Sequence, residues 1–408
     1  MLFFEHNMIK DIPSSDDFIA SGEDFLNMAW EKIFDLLKDY AIIKTFSEID
    51  SGEECNEEID NEYWEKVQRH LSTSLALIQQ GNEFILKGKI AKKSPFLILS
   101  DDWDSTLGKD KDISFSKLKT IEASNLIKVY NAEINPPLEN KFQEVFDKLR
   151  DKRNTVIHSV PNNIEESKDL LLNILEISQH LIGKYSWIKT RKSFLENEPN
   201  ITMVKRGDNV KEANILITIA TEINHVIKKL LGPKDVKMYF DIDKKQRWYI
   251  CPYCYKAFEV FSNFGEDFGE IPKLAQLKPK KPGSNTLYCL VCDKTSEVKR
   301  DDCNCEGCRG NVISDSGICL TCGNLERPTM IPVTLKIPVK DVEKLQQLSP
   351  ILGFSDYQLL IGAYINWEMR ANLEKLENNG FDALIASLKR HGVSDDVIHE
   401  ALTEIVNG

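Results

Sequence analysis

The sequence predicts a mainly α protein in three parts: a helical bundle over 1–235, a cysteine-rich region over 236–327, and a β-α-α module with a helical tail over 328–408. Three observations carry this reading. Apolar residues recur at helical spacing from about residue 16 to 232, nine of the ten cysteines fall in the middle region, and a short alternating segment followed by helical patterns opens the last part. With 408 residues, 42% hydrophobic and 28% charged, the chain can bury a real core and hold several domains.

The first part contains "FLNMAWEKIFDLLKDY", "YWEKVQRHLSTSLALIQQGNEFIL", "IEESKDLLLNILEISQHLIGKYSWI" and "KEANILITIATEINHVIKKLL", the last stopped by Gly232-Pro233. Between them, "SEIDSGEECNEEIDNE" and "SDDWDSTLGKDKD" read as solvated acidic loops and are given no chemistry. The net charge of -12 argues against a polyanion ligand only until it is located. Residues 1–62 hold 17 acidic and 4 basic side chains, a net of -13, so the remainder carries about +1. No apolar run approaches a membrane span, and the opening "MLFFEHNMIKDIPSS" lacks a long apolar region following basic residues. A cytoplasmic protein with no membrane partner is expected.

One helix stands out. Phe142, Val145, Phe146 and Leu149 recur at i, i+3, i+4 and i+7, and the next position on that stripe is Arg153. A cation there must pair, contact a polar ligand, or bear the cost of desolvation. His158 follows, and Pro161 stops the helix. On an ideal helix five residues turn Arg153 and His158 about 140° apart, so two helices related by a two-fold axis combine them more easily than one.

In the cysteine-rich region, Cys251-Pro-Tyr-Cys254 is followed after 34 residues by Cys289-Leu-Val-Cys292, and Cys305-Glu-Gly-Cys308 is followed after 10 by Cys319-Leu-Thr-Cys322. Two such knuckles can place four thiolates around one tetrahedral Zn²⁺, so two structural zinc ions in two four-cysteine ribbons are expected. With no secretory signal, metal is favoured over disulfides. Cys303 is left over and is able to replace Cys305. The loop "KLAQLKPKKPGSN" presents Lys273, Lys278, Lys280 and Lys281 without an acidic residue, either as a phosphate contact or as a solvated loop. Tyr253, Tyr255 and Phe258 beside it can stack on bases or cover a small core.

"RNTVIH", Arg153 to His158, resembles the R-N-x-x-x-H signature of HEPN domains, a helical ribonuclease family of toxins and antiviral systems. The resemblance covers the bundle up to about residue 235. It implies metal-independent cleavage of RNA by a homodimer, with Arg153, Asn154 and His158 as the site residues. The chemistry suits those side chains. RNA supplies its 2′-hydroxyl as nucleophile, a histidine can act as base or acid, and an arginine can hold the phosphorane. The alternatives are a non-catalytic nucleic-acid-binding or regulatory protein that dimerises through the bundle, and a scaffold in which zinc only replaces a core. His6, His70, His180, His225, His391 and His399 have no comparable partner pattern.

The third part resembles a ribbon-helix-helix module. "PVTLKIPV" alternates Val333, Leu335 and Ile337 against Thr334 and Lys336, "DVEKLQQL" gives a first helix, and Ser355 and Gln358 have capping-box spacing for a second. The resemblance implies dimerisation and DNA contact through 332–370. With only Thr334 and Lys336 to face a groove, and four basic against four acidic groups over 328–370, dimerisation without DNA reading stays open.

Overall fold

Helices dominate the structure. It is a computed structural model that describes residues 8–51, 57–100, 112–158, 165–199, 208–262, 271–324 and 337–351, with Tyr357, Leu360, Ile361 and Tyr364. The chain forms two compact units, residues 1–328 and 329–408.

Helix α1, Ser15–Ser51, begins with reciprocal capping: the Asp17 amide donates to Ser14 Oγ at 3.1 Å and the Ser14 amide donates to Asp17 Oδ2 at 2.8 Å. After α2, Glu57–Lys66, helix α3, Gln68–Ala91, runs antiparallel to α1. Their close approach needs Gly22 and Gly81. A Cβ on either would stand 2.8 Å from the other's carbonyl oxygen, nearer than real Cβ contacts come. Phe18, Leu26, Trp30 and Ile33 of α1 and Leu71, Leu75, Ile78 and Ile85 of α3 are buried together.

Four more helices close the bundle: α4, Ala123–Glu133; α5, Asn140–His158; α6, Ser167–Ile177; and α7, Trp187–Asn197. Helix α8, Asp208–His225, and α9, Pro233–Phe240, follow, and α6 and α8 each run on into a π-helical turn, Ser178–Ile182 and Val226–Leu230. Two short strands, β1, Met8–Lys10, and β2, Asp112–Ser114, pair in parallel. Gly232 and Pro233 open α9, with the Gly232 amide donating to Asp235 Oδ2 at 3.2 Å.

The cysteine-rich region is joined to this bundle. Helix α10, Pro252–Ser262, packs on α8, and one hydrophobic core runs continuously from Trp30 to Leu320. An antiparallel sheet in the order β3, Ala275–Leu277, β4, Thr286–Cys289, β5, Thr295–Lys299, β6, Ile313–Ser314 completes it.

In the second unit, α11, Val339–Ile351, contains the expected first helix of the β-α-α module. Of the expected strand, residues 332–336 lie outside the described residues, while Ile337 and Pro338 lead into α11 and Val339 is its first residue; most of the second helix, including Ser355 and Gln358, also lies outside them. Among the described residues no helix is long and apolar enough to cross a membrane.

Candidate catalytic helix and metal centres

The stripe on α5 buries Phe142, Phe146 and Leu149 against the bundle. Arg153 sits one turn beyond, partly buried, where the stripe leaves the core. Its Nη1 donates to Asn154 Oδ1 at 3.1 Å, and among the described residues no carboxylate pairs with it. Its neighbours are paired. Arg150 bridges Asp147 at 2.9 Å and Asp151 at 3.3 Å, and Lys152 meets the buried Glu165 at 2.7 Å. His158 is exposed at the last residue of the helix. The helix does not unwind before it, so Arg153 and His158 keep their divergence of about 140°. A cleft of about 570 Å³ along the outer flank of α5 is lined by Glu144, Asp147, Lys148, Asp151, Lys152, Thr155, Val156 and Glu165. Arg153 and His158 are not among its lining residues.

A second arginine, which the sequence pattern did not mark, has the opposite fate. Arg191 of α7 is 2% exposed. Its Nε and Nη2 donate to Glu222 of α8 at 3.1 and 2.9 Å, and Nη2 also reaches Glu31 of α1 at 3.1 Å. Glu222 further accepts the Trp30 indole N–H at 2.9 Å. Burial opposes the charge of Arg191, yet Glu222 and then Glu31 outweigh it and raise its pKa, whereas burial pushes the Glu31 carboxyl up.

Glu176 of α6 gathers another set. His180 Nε2 lies 3.4 Å from Oε1, Lys141 Nζ lies 2.9 Å from the same oxygen, and Tyr239 O–H donates to Oε2 at 2.6 Å. The contact with His180, then the hydrogen bond from Tyr239 and the ion pair with Lys141, hold this carboxyl down to about 2 against its burial. His180, passed over in the sequence, lies on the π-helical turn after α6 and meets the Phe142 ring, in the first turn of α5, at 5.2 Å.

Eight of the nine described cysteines form two groups of four, in each of which all sulfurs lie within 4.8 Å of one another. The first is Cys251, Cys254, Cys289 and Cys292, as expected. Its first pair does not lie in a ribbon hairpin. Cys251 immediately precedes α10, Pro252 takes the first helical position, and the amide of Cys254 in the first turn donates to Cys251 Sγ at 3.5 Å, which favours the Cys251 thiolate. The second group is Cys303, Cys308, Cys319 and Cys322, so Cys303 replaces the expected Cys305. The backbone explains the exchange. The Cys303 amide donates to the Gly310 carbonyl at 2.8 Å, and the amides of Cys305 and Gly310 donate to Cys303 Sγ at 3.4 Å and Cys308 Sγ at 3.3 Å. The knuckle is therefore wider than C-x-x-C, and Cys305 supplies its amide instead of its sulfur.

The other two knuckles share one turn. The Cys289 amide donates to the Lys294 carbonyl and the Cys319 amide to the Asn324 carbonyl, while Asp293 and Gly323, each following the second cysteine, adopt left-handed backbone. Sulfur pairs stand 3.7 Å apart in the first group and 3.8 and 3.9 Å apart in the second. Four sulfurs about 2.3 Å from a central ion would be separated by about 3.8 Å along a tetrahedral edge. Both groups are thus positioned to bind a metal ion, and far too open for disulfides.

The basic loop is largely engaged. Lys278 Nζ lies 4.1 Å from the centre of the Tyr288 ring, Lys280 bridges Asp243 at 2.6 Å, Lys273 is partly buried, and Lys281 is exposed. Tyr253 donates to Glu212 at 2.7 Å beneath Lys294, Tyr255 reaches the Gly323 carbonyl at 3.4 Å, and Phe258 is buried. These rings cover the core between α8, α10 and the sheet.

Comparison with known proteins gives no match: no family model, curated protein or solved structure aligns with the chain.

Proposed function

We propose that the chain is a metal-independent endoribonuclease acting as a homodimer, with Arg153, Asn154 and His158 at its active site and zinc in both cysteine groups as structural metal. The observation that carries this reading is the state of Arg153. It is partly buried at the end of an apolar stripe, its hydrogen bond runs to Asn154, and no described carboxylate neutralises it. A guanidinium left so is free to take a phosphate bidentately. His158, exposed on the same helix, is accessible to the same substrate, but about 140° of divergence places the two on different flanks. Two copies of α5 around a two-fold axis would set the arginine of one chain beside the histidine of its partner and supply two histidines.

In that site one histidine removes the 2′-hydroxyl proton and another protonates the departing 5′-oxygen. Arg153 stabilises the phosphorane, and Asn154 holds its guanidinium in place. The products are a 2′,3′-cyclic phosphate and a 5′-hydroxyl. Zinc with four sulfurs has no open position for water, so it serves the fold. A cytoplasmic toxin or antiviral role follows only from the resemblance of the motif.

A second reading has its own observation. The cleft flanking α5 carries four carboxylates against two lysines, which repels a polyanion. In that reading α5 is an assembly surface, and nucleic acid meets the cysteine-rich region without being cut. RNA cleavage by the wild type and by His158→Ala, with end-group analysis of the products, separates the two. Equal cleavage by both chains, or 5′-phosphate ends that require added Mg²⁺, would rule out the first.

A further inference from the structure

The two cysteine groups differ in exposure and in sulfur count. Cys251, Cys254, Cys289 and Cys292 are all buried, whereas Cys322 is exposed and Cys303 and Cys308 are partly so. Beside the second group stands a fifth sulfur. Cys305 is partly exposed, its amide donates to Cys303 Sγ at 3.4 Å, and its own Sγ accepts from Asn324 Nδ2 at 3.6 Å. Asn324 is anchored in turn, because its carbonyl accepts the Cys319 amide at 2.9 Å. The Asn324 side chain therefore holds an unligated thiol against the knuckle that carries Cys319 and Cys322.

We propose that Cys305 is the peroxide-reactive thiol of a zinc site that opens on oxidation. This rests on zinc occupying the Cys303, Cys308, Cys319 and Cys322 group. A sulfur bound to zinc shares its charge with the metal and is fixed in a tetrahedron; Cys305 is neither. Its thiolate attacks one oxygen of a peroxide, the O–O bond breaks, and a sulfenic acid forms while the other oxygen leaves as water. The Cys322 sulfur then attacks the sulfenic sulfur. An S–S bond forms, the S–O bond breaks, and a solvent proton carries the oxygen off as a second water. Two sulfurs have lost two electrons, hydrogen peroxide has gained them, and Zn²⁺ is left unreduced on three sulfurs, from which it exchanges into water. The buried first group has no fifth thiol among the described residues and should keep its metal.

The test treats the full-length protein with dilute hydrogen peroxide, follows zinc release with a chromogenic chelator, and maps disulfides by peptide mass. The wild type should start with two zinc ions, release one, form Cys305–Cys322, and recover on addition of a dithiol and zinc. Cys305→Ser should also start with two and release at least about ten-fold more slowly, the nucleophilic thiol being gone. Equal release by both chains overturns the proposal, as does first release from the Cys251 group or a Cys305→Ser chain that purifies with one zinc. A wild-type chain purified with fewer than two zinc ions overturns the metal reading itself, and this inference with it.

Discussion

Arg191 and Arg153 lie in the same helical bundle, and their surroundings divide the work of the molecule between them. Arg191 is consumed: three of its hydrogen bonds end on Glu222 and Glu31, and Glu222 is itself 3% exposed. Arg153 is spared, with Asn154 as its hydrogen-bond partner at the solvent edge of a buried stripe. A charge whose partners are all internal fixes helices relative to one another, whereas a charge held by one neutral neighbour keeps its capacity for a ligand. The difference predicts which substitution unfolds the protein and which one silences it.

The largest effect should come from the spared site. Arg153→Ala and His158→Ala are each expected to lower RNA cleavage by about 10²–10⁴-fold, the usual scale of lost acid–base or electrostatic catalysis. Neither should shift the urea midpoint appreciably, since His158 is exposed and Arg153 only partly buried. Cleavage rates and equilibrium unfolding are measured on the same preparations, and an Arg153→Ala chain that is destabilised yet cleaves at the wild-type rate would make Arg153 a structural residue like Arg191.

Arg191→Ala reverses the pattern. It strands Glu222 as a buried unpaired charge, which typically costs about 3–5 kcal/mol. Replacing both partners, Arg191→Met with Glu222→Leu, should recover much of that loss, because removing a buried pair is far cheaper than splitting it. Arg191→Lys should recover little, since an ammonium cannot reproduce the bidentate contact. Denaturant titration gives each value. Full stability in Arg191→Ala would show that the network is ornamental.

Glu176 extends the contrast to a carboxylate. Its folded pKa is lowered from 4.5 to about 2, so its stabilising contribution is complete above about 4.5 and disappears as pH falls towards 2. Glu176→Gln should cost roughly 1–3 kcal/mol at neutral pH, as expected for losing hydrogen bonds to a charged group. It should also flatten the acid limb of the stability curve over that interval. Unfolding measured from about pH 2 to 7 decides it, and parallel wild-type and variant curves would show that Glu176 contributes nothing to the acid limb.

How much of this was legible follows from the same physics. The stripe ending in Arg153 could be read because helical periodicity is local, and the Cys251, Cys254, Cys289 and Cys292 group because knuckle spacing is. Arg191 could not. Its carboxylate partners lie 31 and 160 positions away, and nothing in "WIKTRKSF" distinguishes a buried guanidinium from a solvated one. Glu176 needed Tyr239 from α9, 63 positions on. C-x-x-C spacing points to Cys305 over Cys303, while the deciding contact is the Cys303 amide to the Gly310 carbonyl, a backbone bond with no side-chain signature. Likewise the helix begun by Pro252 could not be told from a ribbon hairpin by the cysteines alone.

The role of Asn154, the hydrogen-bond partner of Arg153 among the described residues, can be tested by small changes in rate. If Asn154 Oδ1 only orients the guanidinium, Asn154→Ala removes one partly exposed hydrogen bond from a charged donor, about 1.5 kcal/mol, and should slow cleavage by roughly 10-fold, with no loss of stability. Asn154→Asp is more telling. A carboxylate in its place would convert Arg153 into a paired arginine like Arg191, so substrate affinity should fall further than in the alanine variant and stay low across the accessible pH range, because the pairing itself holds the new carboxyl below its ordinary range. KM and kcat of the three chains between about pH 5 and 8 provide the measurement. An aspartate variant as active as the wild type would mean that Arg153 does not need to remain unneutralised and does not bind the substrate phosphate.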